Sequence, residues 1–177
     1  MIVVSDSSPL ITLDRIGHLE LLPRLFVSVA LTPEVYAEVV VSGAGLEGAA
    51  SIAAAEWIEV KPLHKPERLT EIRRRTELGL GELSTIALAQ ELAAGLVLMD
   101  DLQARKMALA RGLTVAGCVG VLERGHRRDL LKDLTAAYRR LLSSDAFIDR
   151  GILEASLQRR GSQFCSALVC RRYEIAR

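Results

Sequence analysis

Three observations predict that this 177-residue chain folds as α/β, with helices on both faces of a central, mainly parallel sheet. Short apolar runs alternate with longer segments in which apolar residues recur every three or four positions. The run at 96–99 is fully apolar, which is typical of a strand buried on both faces of a parallel sheet. Apolar residues make up 50% of the chain and charged residues 25%, which excludes a disordered chain. We therefore expect a three-layer α/β/α fold.

The order of the elements follows from these two kinds of segment. Apolar runs predict strands at residues 2–5, 27–31, 57–60, 96–99 and 113–116. Helical spacing predicts helices from residue 7 onward, at 32–41, 48–55, 65–78, 82–94 and 102–111, in several pieces from about 120 to 142, and at 145–160. Because parallel strands need crossover connections, this alternation predicts right-handed βαβ units.

The residues at the helix boundaries support this order. The segment 7–9 provides capping hydroxyls and a proline suited to the first helical turn. The segment 32–34, with the sequence T-P-E, supplies a cap, a proline and an early acid after the second strand. Two later helices end where glycine follows them, at Gly95 and Gly112.

The length fits one domain with a short appendage. We assign residues 1–150 to the domain and residues 151–177 to a C-terminal helical extension or tail. The cysteines number three and form no C-x-x-C pair, which fits a reducing cytoplasm. The first residues lack a basic segment, so we expect no export signal. No stretch approaches about 18 consecutive apolar residues, so we expect no membrane span.

The net charge of +1 is unevenly distributed along the chain. Residues 120–177 hold 12 Lys and Arg against 7 Asp and Glu. Arginine runs that are candidates for phosphate contacts lie at 73–75, 127–128, 139–140, 159–160 and 171–172. Solvated helix faces would give the same pattern, and both interpretations stay open. With 4% aromatic residues, base stacking is disfavoured against recognition of backbone and shape.

Carboxylates follow two of the predicted strands directly. Asp6 closes the first strand, and Asp100 and Asp101 close the strand at 96–99. In open parallel sheets, ligands bind beyond the carboxyl ends of the strands. Helix capping alone explains one such aspartate better than it explains three. We therefore expect a site at this edge of the sheet.

Two glutamates are placed to join these aspartates. Glu82 begins a helix behind two glycines, and Glu38 lies within a helix among valines. Alternatively, Glu82 only compensates the helix dipole, and Glu38 only belongs to the solvated face of its helix. If all the carboxylates converge, their mutual repulsion requires a cation. Oxygen ligands alone favour Mg²⁺ or Mn²⁺.

Four segments in this order carry a family resemblance. They read D-S-S-P-L at 6–10, T-P-E-V-Y-A-E-V at 32–39, G-L-G-E-L-S-T-I-A-L-A at 79–89 and L-M-D-D-L-Q-A-R-K at 98–106. Together with G-L-T-V-A-G-C-V-G-V-L at 112–122, they resemble the PIN-domain family. Within it, the chain is similar to the prokaryotic PIN-like proteins related to VapC toxins. The resemblance covers about residues 2–130.

The resemblance implies a metal-dependent endoribonuclease that hydrolyses RNA phosphodiester bonds at carboxylates around Mg²⁺ or Mn²⁺. The catalytic residues that it implies are Asp6, Glu38, Glu82, Asp100 and Asp101. Asp6 corresponds to the central metal ligand, Glu82 to the acid after the glycine turn, and Glu38 to the helix acid. The doubled aspartate leaves the last metal ligand open between Asp100 and Asp101. We favour Asp101 by comparison with family members that carry a single aspartate there.

Two serines and several partners complete the expectations. Ser8 and Ser84 are expected either to hydrogen-bond the site acids or to cap helices. The resemblance also implies a homodimer and a small antitoxin protein as partner, with the chain acting as the toxin of such a pair.

Other functions were weighed against the ribonuclease. The pattern G-x-G-x-x-G at 43–48 would be a dinucleotide-binding fingerprint if residues 35–41 formed a strand. A phosphoacceptor domain needs a lysine at the end of a late strand, and an aspartyl phosphatase needs D-x-D after the first strand; the chain lacks both. The non-enzyme alternative is a catalytically silent PIN-like module that acts through a protein partner.

Overall fold

The computed structural model describes residues 1–43, 48–67, 69, 73, 76–144, 153 and 156. Its strands are β1 (Val3–Ser5), β2 (Val29–Leu31), β3 (Ile58–Val60), β4 (Leu96–Leu98) and β5 (Val115–Ala116). Its helices are α1 (Ser7–Arg15), α2 (Leu21–Leu25), α3 (Pro33–Tyr36), α4 (Ala49–Ala53), α5 (Leu80–Glu91), α6 (Leu102–Ala110), α7 (Cys118–Arg127) and α8 (Leu134–Ser143). A π-helical turn, Ala37–Ser42, continues α3.

The strands form one parallel sheet in the order β3-β2-β1-β4-β5. β1 is central and pairs with β4 through Val4 and Val97. On its other side it pairs with β2 through Val4 and Ala30. All strands point the same way, so their C-terminal ends lie along one side of the sheet. We call this side the carboxyl edge.

Helices cover both faces of the sheet, as the strand residues show. Val3, Leu31 and Leu98 pack into the larger core, which includes residues of α1, α2, α7 and α8. Val4 and Val97, one position along their strands, pack into the smaller core with α5 and α6. This alternation follows from the opposite directions of successive side chains in a strand. The predicted three-layer α/β/α fold is confirmed.

Three predicted boundaries need correction. The second strand begins at Val29 rather than at residue 27, where the Val27 side chain is 94% exposed. The fifth strand is reduced to Val115–Ala116, because the loop after α6 turns at Gly112 with a positive φ of 76°. The sequence analysis did not identify α2, whose five residues are too few for a helical period to be visible.

The dinucleotide-binding interpretation is wrong. It required a strand at residues 35–41, but this segment lies in α3 and the π-helical turn. The Thr32 hydroxyl accepts a hydrogen bond from the Val35 N–H at 3.2 Å, which fixes the helix start that the T-P-E sequence predicts.

Some predicted elements fall partly outside the described residues. Of the predicted helices at 65–78 and 145–160, the described positions Glu67, Leu69, Arg73, Leu153 and Ser156 are helical. Residues 161–177 lie outside the description altogether. Within the described ranges, we find no helix with the length and apolarity that crossing a bilayer requires.

Candidate metal centre at the carboxyl edge

The order of the strands brings the ends of β1 and β4 together. The Asp6 N–H donates to the Leu98 carbonyl at 2.9 Å, which fixes the first residue after β1 against the last residue of β4. Asp100 and Asp101 follow β4 after one further residue. Carboxylates that are about 95 positions apart in the sequence therefore reach the same edge.

Asp6 is the most buried of the predicted site acids, with 2% of the residue exposed. Its Oδ2 accepts a hydrogen bond from the Ser8 hydroxyl at 3.3 Å. Its Oδ1 has no hydrogen-bond partner among the described residues. The pKa of Asp6 is raised from 3.8 to about 7, chiefly by burial. The charges of Glu82 and Glu38 contribute to this rise, and the Ser7 N–H and the Ser8 hydroxyl oppose it.

Glu38 approaches Asp6 from the π-helical turn. Its Oε1 accepts a hydrogen bond from the Ser7 hydroxyl at 3.0 Å. A Cβ at Gly81 would lie 2.8 Å from Glu38 Oε2 and 3.5 Å from Asp6 Oδ1. Both carboxylates therefore lie against the first turn of α5, where only glycine leaves them room.

Glu82 lies one residue further along α5. Its Oε2 accepts a hydrogen bond from the Gly79 N–H at 2.7 Å and so caps the start of its own helix. Partial burial raises its pKa, and the charges of Asp101 and Glu38 add to the rise. The capping role and the contact with the other acids are thus combined in one side chain.

The two neighbouring aspartates have different surroundings. Asp101 is exposed, caps α6 by accepting from the Ala104 N–H at 2.8 Å, and interacts electrostatically with Glu82. Asp100 instead accepts from the Cys118 N–H at 2.9 Å and from the Cys118 thiol at 2.8 Å, at the start of α7. Both Asp100 oxygens are therefore engaged away from Asp6. Of the two, Asp101 is the one that interacts with another predicted site acid.

The serines also differ from one another. Ser8 bonds Asp6, whereas Ser84 bonds the Thr32 hydroxyl at 2.7 Å and the Gly81 carbonyl at 2.9 Å. Ser84 thus fastens α5 to the start of α3 rather than contacting a carboxylate. The sequence analysis missed Ser7, which holds Glu38. Ser7 directly follows Asp6, the aspartate that ends β1, and this position in the sequence could have identified it as a candidate site residue.

The predicted arginine contacts are largely structural where the chain is described. Arg128 donates to the Leu25 carbonyl at 3.5 Å, and Arg140 donates to the Ile16 carbonyl at 3.3 Å. Arg127 lies 3.8 Å from Glu123. Arg128 and Arg140 therefore tie α7 and α8 to other parts of the fold, whereas the pair of Arg127 and Glu123 lies within α7. The remaining arginine runs lie wholly or mostly outside the described residues.

The donor set fits a hard divalent cation in its chemistry. Asp6, Glu38 and Glu82 offer oxygen ligands, and one buried Asp6 oxygen has no hydrogen-bond partner among the described residues. The charge of Glu38 raises the pKa of both Asp6 and Glu82. In the described part of the chain, no three His, Cys, Asp or Glu side chains are close enough to enclose an ion together. The acids are therefore close enough to repel one another, but in this arrangement they do not surround an ion.

The fold and the site define the protein's class as an open, parallel α/β/α protein with an acidic ligand site at the carboxyl ends of its strands. The family DUF3368, described as a PIN domain, matches residues 2–162 of the chain. The chain therefore belongs to the PIN-domain family, and the expected family is confirmed. PIN domains are generally nucleases and typically use divalent metals. No curated protein shows significant sequence similarity to the chain.

Proposed function

We propose that this protein is a metal-dependent ribonuclease that hydrolyses RNA phosphodiester bonds at the carboxyl edge. The observation that carries the proposal is the Asp6 carboxylate, which is buried, lacks a partner for Oδ1 among the described residues, and lies beside two other acids. A buried carboxylate in this position destabilises the protein unless a cation is bound. The arrangement is thus suited to Mg²⁺ or Mn²⁺.

The proposed roles follow from the contacts of each acid. Asp6 is the central ligand, and Glu82 and Asp101 complete the donor set from the starts of α5 and α6. Glu38, held by the Ser7 hydroxyl, is the further catalytic acid. When bound, a divalent ion supplies positive charge at the scissile phosphate and acidifies a water molecule. Asp100, engaged by Cys118, is assigned no ligand role here.

Hydrogen bonds keep these carboxylates in place without a metal. Ser8 orients Asp6, Ser7 orients Glu38, and the Gly79 N–H orients Glu82. These hydrogen bonds set the orientation of each acid, but among the described residues no three such side chains enclose an ion, so ion binding must also draw the carboxylates closer together.

RNA cleavage tests the proposal directly. A mixed RNA pool is incubated with Mn²⁺, Mg²⁺ or EDTA and with the wild type, Asp6→Asn or Glu82→Gln. Matched controls are Asp129→Asn and Glu56→Gln, because both residues are exposed. We expect cleavage with either metal, none with EDTA, and at least a hundredfold loss in the two site variants only. Equal cleavage by the site variants and the wild type would contradict the proposed site.

The proposal extends to partners that the family resemblance implies. We propose that the chain is the toxin of a toxin–antitoxin pair in the cytoplasm, that it forms a homodimer, and that a small antitoxin protein inhibits it. Its expression is then expected to arrest growth, and Asp6→Asn is expected to relieve the arrest. A catalytically silent binding module would arrest growth equally well in both forms, or in neither. Sedimentation of the purified chain tests the dimer.

A further inference from the structure

Arg105 lies beside the proposed metal centre and has no role in it so far. It occupies the second turn of α6, one helical turn after Asp101, and is half-buried. Its Nη1 donates to the Met99 carbonyl at 3.2 Å, directly after β4. The guanidinium group is therefore fixed at the carboxyl edge, on the same side of the sheet as the acids.

The charge of Arg105 is not balanced by an ion pair within the described ranges. A guanidinium has five N–H donors, and one donated hydrogen bond is found here, to a backbone carbonyl. Lys61, which follows β3 at the same edge, pairs with Glu59 at 2.7 Å. Asp100 lies on the same side of Gly117 as Arg105, but both of its oxygens accept hydrogen bonds from Cys118. Arg105 is thus a positioned cation with donors left for an anion.

The neighbouring chain leaves space for these donors. A Cβ at Gly117, directly after β5, would lie 2.9 Å from Arg105 Nη1. The same Cβ would overlap Asp100 Oδ1, so the Asp100 carboxylate and Arg105 Nη1 both pack against Gly117. Any larger residue at position 117 would displace one of them, so the glycine is needed for Arg105 to reach the Met99 carbonyl. Arg105 Nη1 bonds the carbonyl of Met99, which follows β4, and β4 pairs directly with β1, the strand that Asp6 directly follows.

We propose that Arg105 forms a phosphate-binding subsite that holds a phosphate of the RNA next to the one being cleaved. This inference rests on the proposed ribonuclease function and names a contact for its substrate. An unpaired guanidinium binds phosphate through two parallel hydrogen bonds, and its attachment to Met99 lowers the entropy lost on binding. The acids alone repel RNA, so a nearby cation is needed to hold the strand.

Binding of RNA without cleavage tests the subsite. Fluorescence anisotropy of a labelled single-stranded RNA in EDTA compares the wild type with Arg105→Ala, Arg105→Lys and the control Lys106→Ala. Lys106 is an exposed cation on the same helix. We expect Kd to rise about tenfold for Arg105→Ala, about threefold for Arg105→Lys, and less than twofold for Lys106→Ala. The slope of log Kd against log salt is expected to fall by about 0.7 for Arg105→Ala, one phosphate contact.

Cleavage kinetics separate this subsite from the proposed reaction. If the contact is equal in the ground state and the transition state, Arg105→Ala raises KM and leaves kcat within about twofold. Unchanged RNA binding by Arg105→Ala, or an equal loss in Lys106→Ala, would overturn the subsite even if the wild type cleaves RNA. Loss of binding in Arg105→Ala with no cleavage by the wild type would support the subsite and refute the reaction. Thermal unfolding of Arg105→Lys checks that the fold is retained.

Discussion

Replacing Asp6 by asparagine is expected to stabilise the metal-free protein, although it removes the proposed central metal ligand. The residue is 2% exposed, and burial beside Glu82 and Glu38 raises the pKa of its carboxyl from 3.8 to about 7. Each tenfold change in proton affinity corresponds to about 1.4 kcal/mol. At pH 8.5 the ionised carboxylate therefore costs the fold about 4 kcal/mol, an upper value for what Asp6→Asn recovers.

The amide group of asparagine fits the site of the Asp6 carboxylate, so the substitution is expected to recover most of the energy that the ionised carboxylate costs. Asparagine has the shape of aspartate and keeps an oxygen that accepts from Ser8. Its N–H donors replace a carboxylate oxygen that has no partner among the described residues. We expect Asp6→Asn to raise the free energy of unfolding by about 2 to 4 kcal/mol in EDTA at pH 8.5. For a chain of this size, the midpoint of thermal unfolding then rises by roughly 5 to 10 °C.

The pH dependence gives the sign of the effect independently. Because the pKa of Asp6 is higher in the folded protein than in the unfolded chain, the folded protein binds more protons between the two values. Stability from this group is fully present below pH 3.8 and is lost as the pH rises to about 7. Urea unfolding from pH 5 to 8.5 is expected to show this loss in the wild type and its absence in Asp6→Asn.

Mn²⁺ and a matched variant complete the test. Mn²⁺ is expected to stabilise the wild type and to leave Asp6→Asn unchanged, because an ion that binds only the folded protein stabilises it. Asp129 is exposed with φ of 56°, a conformation that asparagine adopts readily, so Asp129→Asn changes stability by less than about 0.5 kcal/mol. Destabilisation by Asp6→Asn in EDTA would refute the argument that repulsion at Asp6 opposes folding.

Two further substitutions and one labelling experiment test particular contacts. Gly81→Ala is expected to weaken Mn²⁺ binding at least tenfold in calorimetry, because its Cβ would lie 2.8 Å from Glu38 Oε2; unchanged affinity would exclude Glu38 from the site. Gly117→Ala is expected to lower the free energy of unfolding by about 1 to 3 kcal/mol in urea, since its Cβ overlaps Asp100 Oδ1. Burial raises the pKa of the Cys118 thiol, so mass spectrometry is expected to find it unreactive with iodoacetamide until the protein unfolds.

The strand-ending acids were predictable because they depend on local rules. A strand followed by Asp6, and another followed by two aspartates, place carboxylates at one edge in any parallel sheet. The capping sequence at residues 32–34 likewise fixed the start of α3 before the fold was known. These features do not depend on contacts between distant parts of the chain, so the local sequence pattern is sufficient to predict them.

The remaining features depend on tertiary contacts that no local pattern reports. The approach of Glu38 depends on a π-helical turn, which has the same apolar residues as an ordinary helix. The different surroundings of Asp100 and Asp101 depend on Cys118, which is 18 positions from Asp100. Ser84 bonds Thr32 across 52 positions, so its hydroxyl is used before it can reach an acid. The proposed phosphate contact of Arg105 likewise depends on the tertiary structure. Only the fold shows that Arg105 forms no ion pair with the other described residues.

The central pairing of β1 with β4 has a consequence for the time at which the protein becomes active. Val3 pairs with Leu96, and Asp6 bonds Leu98, so the ribosome must synthesise more than half of the chain before β1 gains this neighbour. At about 5 to 20 residues per second, the delay is several seconds. During that interval the nascent chain holds Asp6 and Glu38 without Glu82 or Asp101 in place. Under the proposed ribonuclease function, the active site cannot assemble, and the messenger RNA that encodes the chain is not cleaved, until translation of the chain is well advanced.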